Sequence, residues 1–243
     1  MGAIQKFSNY FDMTDNNNIG DLLYQSLESA YVFEKTGWAA ESVKRVENRL
    51  QRQRTDENRK EVIVPWMEQC TAFTAPGKYI FFSRALLEMC QSEEVIALII
   101  SHEIAHHDLG HLDLFPEWLT QFTGKQAAPF LRMLYLHLQQ RAYGPERECD
   151  ADRKGIDLCI EAGYDPKQCI TLFDMLEQYA LDMRDLSMVF GPDEPNDDFS
   201  LQAFLPSDVR TWLFQRSRGY LPIRDRRQAL IDYLSSHHAQ NLD

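Results

Sequence analysis

The spacing of apolar positions changes several times along the chain, and each change predicts a different element. From Asp21 to about Arg54 the spacing is helical, in two pieces broken near Thr36-Gly37, and Trp38, Val43, Val46 and Leu50 form one packed face. Val62-Ile63-Val64 and Cys70-Thr71-Ala72-Phe73-Thr74 then read as strands. Pro76-Gly77 has the signature of a type II turn, and Tyr79-Ile80-Phe81-Phe82 reads as the strand returning from it. Ala85 to Met89 predicts a short helix. Ser92 is a suitable N-cap for the next one, with Glu93 and Glu94 in its positive first turn. The run from Val95 to Ile100 is apolar on nearly every side, which predicts a buried helix.

Beyond residue 113 the pattern is helical again. Residues 114–143 read as a connecting segment whose apolar stretch, Phe130 to Leu136, predicts a core or groove-lining helix. Gly144-Pro145 opens a helix that runs to Gly163, and Asp165-Pro166 opens another over about 166–184. Residues 191–199 are acidic and proline-rich and predict a flexible loop, without the carboxylate spacing of a calcium site. Two further helical patterns lie near 208–217 and 223–238, the second closing on His237-His238 as an exposed end. The organisation expected is a loose lead-in over 1–20 and a single domain over 21–243. Its core is 60–165 and its C-terminal part, 166–243, is helical.

Composition narrows the partners. A net charge of −12 disfavours nucleic acid and anionic membrane surfaces as the main partner. Arg45, Arg49, Arg52 and Arg54 are interleaved with Glu47 and Glu57, as on a solvated face. No apolar run approaches the ~20 residues of a membrane span. Met1-Gly2-Ala3-Ile4-Gln5-Lys6 leads directly into polar sequence, which predicts no signal peptide, and Lys6 occupies the position where myristoylation wants Ser or Thr. Cys70, Cys90, Cys149, Cys159 and Cys169 show no C-x-x-C spacing, so reduced thiols and a cytoplasmic location are expected.

The candidate chemistry sits on the buried helix, in Ser101-His102-Glu103-Ile104-Ala105-His106. Counted from His102 along a helix, His106 stands at about 40° and Glu103 at about 100°, so all three project from one sector. Two imidazole nitrogens one turn apart, beside a carboxylate, supply two metal ligands and a general base. Leu109 and Leu112 stand where a metzincin needs Gly and His, which excludes that class. On a continuous helix His111 points about 180° from His102, so His107 and His111 read as structural or exposed. Glu148 and Asp152 share a face one turn apart. A carboxylate there either completes a His-His-Glu set with one open position or is one more surface acid beside Glu146 and Asp150.

Three motifs in order resemble the zinc peptidases related to HtpX and the CAAX prenyl endopeptidases, which are gluzincins. Thr71-Ala72-Phe73-Thr74-Ala75-Pro76-Gly77 is similar to that family's N-A-F-A-x-P-G segment, with Thr71 in place of Asn. His102-Glu103-Ile104-Ala105-His106 is similar to its active-site helix, and Glu148-Cys149-Asp150-Ala151-Asp152 to its E-x-x-A-D motif. Together they cover about residues 60–165.

The resemblance implies an α+β fold: a mainly helical zincin-like domain with a small antiparallel sheet whose edge strand flanks the zinc helix. It implies one Zn²⁺ per chain on His102, His106 and Glu148, Glu103 as general base, and Asp152 orienting His102. Thr71, Ala72, Phe73, Thr74 and Ala75 become the strand on which a peptide or unfolded-protein substrate is laid. Relatives end in H-P-x-x-x-x-R. Leu221-Pro222-Ile223-Arg224-Asp225-Arg226-Arg227 keeps the Pro and puts Arg227 at the Arg that pairs with the Asp, while Leu221 replaces the oxyanion-binding His. The relatives' membrane helices are absent, so a membrane or prenylated substrate is not implied. The activity expected is that of a soluble zinc metalloendopeptidase. A zinc-bound peptide- or protein-binding module without turnover is the alternative that Leu221 raises.

Overall fold

The computed structural model describes residues 16–112, 144–190 and 222–239. Its elements are α1 (Asn16–Ala30), α2 (Trp38–Leu50), a 3₁₀ turn at Asp56–Asn58, β1 (Glu61–Ile63), β2 (Ala72–Thr74), β3 (Tyr79–Phe82), α3 (Arg84–Met89), α4 (Glu93–Asp108), α5 (Gly144–Glu161), α6 (Pro166–Phe190) and α7 (Ile223–His237). The expected apolar segment within 114–143, the acidic loop 191–199 and the helix near 208–217 lie outside the described residues. The first helix starts at Asn16, so the last part of the expected lead-in is helical. His238 is half-buried with Nε2 2.9 Å from Asp157 Oδ1, and only His237 is exposed as anticipated.

The sheet is three-stranded in the order β1-β3-β2. β2 and β3 form an antiparallel hairpin, Phe73 opposite Phe81, closed at Gly77 with φ 86°. β1 pairs with β3 in parallel, so the sheet is mixed rather than wholly antiparallel. The reason is the burial of Tyr79-Ile80-Phe81-Phe82, every residue of which is covered. A strand apolar on both faces belongs in the centre of a sheet. β3 therefore slots between β1 and β2, leaving β2 as an edge.

α4 is the central element and packs against α2, α5, α6, β2 and β3. Ser92 Oγ caps it by accepting from Val95 N–H at 3.3 Å, and residues Val95 to Ile100 are all buried. A second, smaller core joins α1 to the sheet through Leu23, Leu27, Phe33, Phe73, Tyr79 and Phe81. The Phe73 and Phe81 rings stack with centroids 5.1 Å apart.

α1 holds the β2–β3 turn through one close approach. A Cβ on Gly20 would stand 2.0 Å from the Pro76 carbonyl oxygen. Ala in a helix gains about 1 kcal/mol over Gly, whereas overpacking a tight contact costs about 1–3 kcal/mol. At 2.0 Å from backbone the clash wins. Gly20→Ala is predicted to lower the urea midpoint of unfolding, and a raised midpoint would show that α1 does not clamp the turn.

Candidate metal centre

Two helices and a strand converge on His102, Glu103 and His106. Successive turns of α4 place His102 Nε2 and His106 Nε2 3.1 Å apart. Glu148 of α5 meets them, Oε2 at 3.6 Å from His102 Nε2 and Oε1 at 3.7 Å from His106 Nε2. Tetrahedral ligands with bonds of 2.0–2.2 Å lie roughly 3.4 Å from one another. The three separations straddle that value, so the donor set fits a zinc ion. Among the described residues this is the cluster of His, Cys, Asp and Glu side chains that could hold a metal.

Gly155 makes the convergence possible. A Cβ there would lie 3.0 Å from His102 N and 3.1 Å from His102 Cα, so α5 runs against the backbone of α4. Gly155, Asp152 and Glu148 fall within a narrow sector of α5, which turns both carboxylates toward the imidazoles.

Asp152 Oδ1 stands 3.0 Å from His102 Nδ1, although the ring is not turned to aim its N–H squarely at that oxygen. Arg226 Nε and Nη2 donate to Asp152 Oδ2 and Oδ1 at 2.8 and 2.7 Å, and its Nη1 is 3.0 Å from Glu148 Oε2. Burial pushes the Asp152 carboxyl up, but the Arg226 charge and the contact with His102 outweigh it and bring it to about 2. Burial opposes the His102 cation, and Asp152 reverses the balance so that its pKa rises. His106 goes the other way, held well below the usual imidazole range by burial and by the neighbouring His102 and His111.

Glu103 is 7 % exposed. Burial raises its carboxyl to about 7, with Glu148 adding to the shift, while His102 and a hydrogen bond from the Thr74 backbone N–H oppose it. That bond sets the outer edge of β2 beside the carboxylate. Thr71, Phe73 and Ala75 face β3, as the Ser83 N–H to Thr71 O and Ala75 N–H to Tyr79 O bonds (2.9 and 2.8 Å) require. Ala72 and Thr74 alternate to the other side. His107, expected to be structural or exposed, is half-buried and hydrogen-bonds Thr74 Oγ1 through Nε2.

Two expectations are corrected. Arg227 does not reach Asp152: its Nε stands 3.1 Å from Asp174, and Arg226 occupies the place assigned to it. Residues 223–237 are helical, and two consecutive helical residues point about 100° apart, so only one can face α5. The periodicity held the signal, because Arg226 precedes the buried Leu230 and Leu234 by one and two turns. The second is the ground on which His111 was set apart from the ligands, not its reading as structural. α4 ends at Asp108 and the chain turns at Gly110, φ 67°, so the continuous-helix count fails. His111 is buried, and its Nδ1 lies 2.8 Å from His106 Nδ1. Leu221 lies outside the described residues.

The sequence of residues 34–238 matches the model of peptidase family M48. The chain belongs to peptidase family M48. No curated protein matches it. Membership makes it a metallopeptidase by family, and the three side chains that converge are compatible with the zinc that M48 peptidases typically use. No helix among the described residues is long and apolar enough to cross a membrane. The mostly helical fold with its small sheet agrees with the α+β zincin-like expectation.

Removing one partner from a buried charge network costs about 3–5 kcal/mol, whereas exposed pairs contribute about 0–1 kcal/mol. Side chains of Arg226 and Asp152 are 11 % and 7 % exposed, against 38 % and 57 % for Arg227 and Asp174. Arg226→Ala is therefore predicted to destabilise the protein strongly in urea unfolding and Arg227→Ala hardly at all. The reverse order would return the role to Arg227.

Proposed function

We propose that this M48 peptidase is a zinc-dependent metalloendopeptidase that hydrolyses peptide bonds in extended or unfolded polypeptides, with Glu103 as general base. The observation that carries it is the meeting of the His102, His106 and Glu148 donor atoms beside a buried carboxylate that also touches the outward edge of β2. His102, His106 and Glu148 would hold the metal, and Asp152 and Arg226 would fix His102 and Glu148. The chemistry a zinc ion contributes in such a site is Lewis acidity toward water and toward a carbonyl oxygen.

Glu103 takes the proton of the attacking water and returns it to the leaving amine. Burial raises the Glu103 carboxyl above the usual carboxylate range, which favours proton uptake by this group. The substrate backbone adds to residues 71–75, where Ala72 and Thr74 turn their main-chain groups away from β3. Phe73 and Ala75 are buried, so this strand offers backbone rather than side chains to a peptide. A peptide added to this edge would run past the Glu103 carboxylate, which accepts from the Thr74 N–H.

A single domain over about 21–243, with α1 carrying it back to Asn16, is part of this reading, and the packing of α7 on α5 and α6 supports it. A reducing, cytoplasmic setting is part of this reading, on the cysteine spacing, which has no C-x-x-C pair. Nucleic acid is not a partner in this reading.

A second reading, peptide binding without turnover, rests on Leu221 at the position of the oxyanion His. Arg226 weakens it. Counting back from Arg226 by the H-P-x-x-x-x-R spacing reaches Tyr220, whose phenol is a hydrogen-bond donor, although Leu221 then takes the place of the Pro.

The test is cleavage of a quenched random-peptide library by zinc-loaded protein beside Glu103→Gln. Cleavage at internal bonds by the wild type alone, with zinc content equal in both, is the expected result. Silence from both at full zinc occupancy would select the binding-only reading, and cleavage by both would remove Glu103 as the base.

A further inference from the structure

α4 closes with a specific hydrogen-bond pattern. Leu109 N–H bonds to Ala105 O at 2.9 Å, Gly110 N–H to His107 O at 3.1 Å and His111 N–H to His106 O at 2.9 Å. With Gly110 at φ 67°, this is a Schellman motif, in which the residue after the left-handed glycine folds back over the last turn of the helix. The contact made there is commonly between two apolar side chains. Here both are imidazoles, and one belongs to His106.

Their rings meet edge to face, centroids 5.0 Å apart, with Nδ1 to Nδ1 at 2.8 Å. His106 is 1 % and His111 6 % exposed, so water does not substitute for either partner. Two ring nitrogens at hydrogen-bond distance share one proton, and one ring donates while the other accepts. His106 turns its Nε2 toward His102 and Glu148. A neutral imidazole that keeps a lone pair on Nε2 carries its proton on Nδ1. His106 Nδ1–H is therefore the donor and His111 Nδ1 the acceptor, with the remaining His111 proton on Nε2.

We propose that His111 is a positioning residue for His106: the Schellman turn delivers an acceptor that fixes the rotation and tautomer of the His106 ring and so presents its Nε2 to the metal. The proposal rests on His106 being a metal ligand. It assigns the two imidazoles of the centre different supports. His102 stands against a carboxylate that is itself held by Arg226, and His106 against an uncharged ring supplied by the end of its own helix. Supports of this kind commonly govern metal affinity by about 10- to 100-fold.

Two variants separate the acceptor from the shape of the turn. His111→Leu supplies the apolar side chain that a Schellman motif ordinarily carries, so the turn is kept and the acceptor lost. His111→Asn restores an acceptor oxygen at the reach of Nδ1. Zinc affinity is read by competition with a chromogenic chelator, and the thermal midpoint is read on the metal-free protein. The expected result is a zinc affinity lowered about 10- to 100-fold in His111→Leu and recovered for the most part in His111→Asn, while the metal-free midpoint falls only modestly in His111→Leu, which leaves the buried His106 Nδ1–H unpaired. His111→Leu binding zinc as tightly as the wild type would overturn the proposal. So would His111→Asn binding as weakly as His111→Leu, since the loss would then follow shape and not the hydrogen bond. A wild-type protein that binds no zinc would bring down the metal centre and this role with it. Tight wild-type binding indifferent to His111 would remove the role alone.

Discussion

The proposed centre depends on how closely α5 approaches α4 at Gly155. The missing side chain lets one helix run against the backbone of the other at His102, where a Cβ would meet atoms at 3.0–3.3 Å. Everything contributed by α5 hangs from that contact. Glu148 and Asp152 lie seven and three residues before Gly155 on the same side of the helix, so the approach sets their depth over the imidazoles. Side-chain reach cannot compensate for a displaced helix, because Glu148 already extends to both nitrogens. The rigidity comes from α4, whose apolar residues are buried on nearly every side and which the sheet, α2 and α6 hold in place.

Burying this many polar groups is costly unless each is matched to another. Arg226 is the cation that balances them. It bridges Asp152 and Glu148 from α7, so the last helix of the described fold closes the network begun by the first carboxylate of α5. Asp152 stays ionised and opposes His102, while burial pushes Glu103 toward neutrality against the pull of His102 and Arg226. One pocket thus keeps one carboxylate charged and another close to its midpoint. The separation follows from position: both carboxyls are buried, but Asp152 is paired directly with an arginine, whereas at Glu103 burial outweighs the backbone N–H of β2.

Much of this was legible in the residues. The apolar run after Ser92 marked a buried helix, and i, i+4 spacing put two imidazoles on one face of it. Pro76-Gly77 marked the hairpin turn, and the E-x-x-A-D motif singled out Glu148 among neighbouring acids. What was not legible depended on long-range geometry. The central place of β3 between β1 and β2 follows from its being buried on both sides, which a four-residue run does not reveal before its neighbours are known. Arg226 was displaced by one position because a motif was counted along the chain, although the 226–230–234 stripe carried the information. His111 was set aside by assuming that the helix continued, when Gly110 is the residue that ends it. In both cases a helical boundary decided which side chain reached the site.

The measurement that bears most directly on the proposed centre is zinc K-edge X-ray absorption on protein loaded with one equivalent of the metal. The account predicts a first shell of nitrogen and oxygen only, with the outer-shell scattering of two imidazoles. That scattering should fall to one imidazole in His106→Ala. Sulfur in the first shell, or an imidazole count that His106→Ala leaves unchanged, would place the metal elsewhere in the chain and contradict the account.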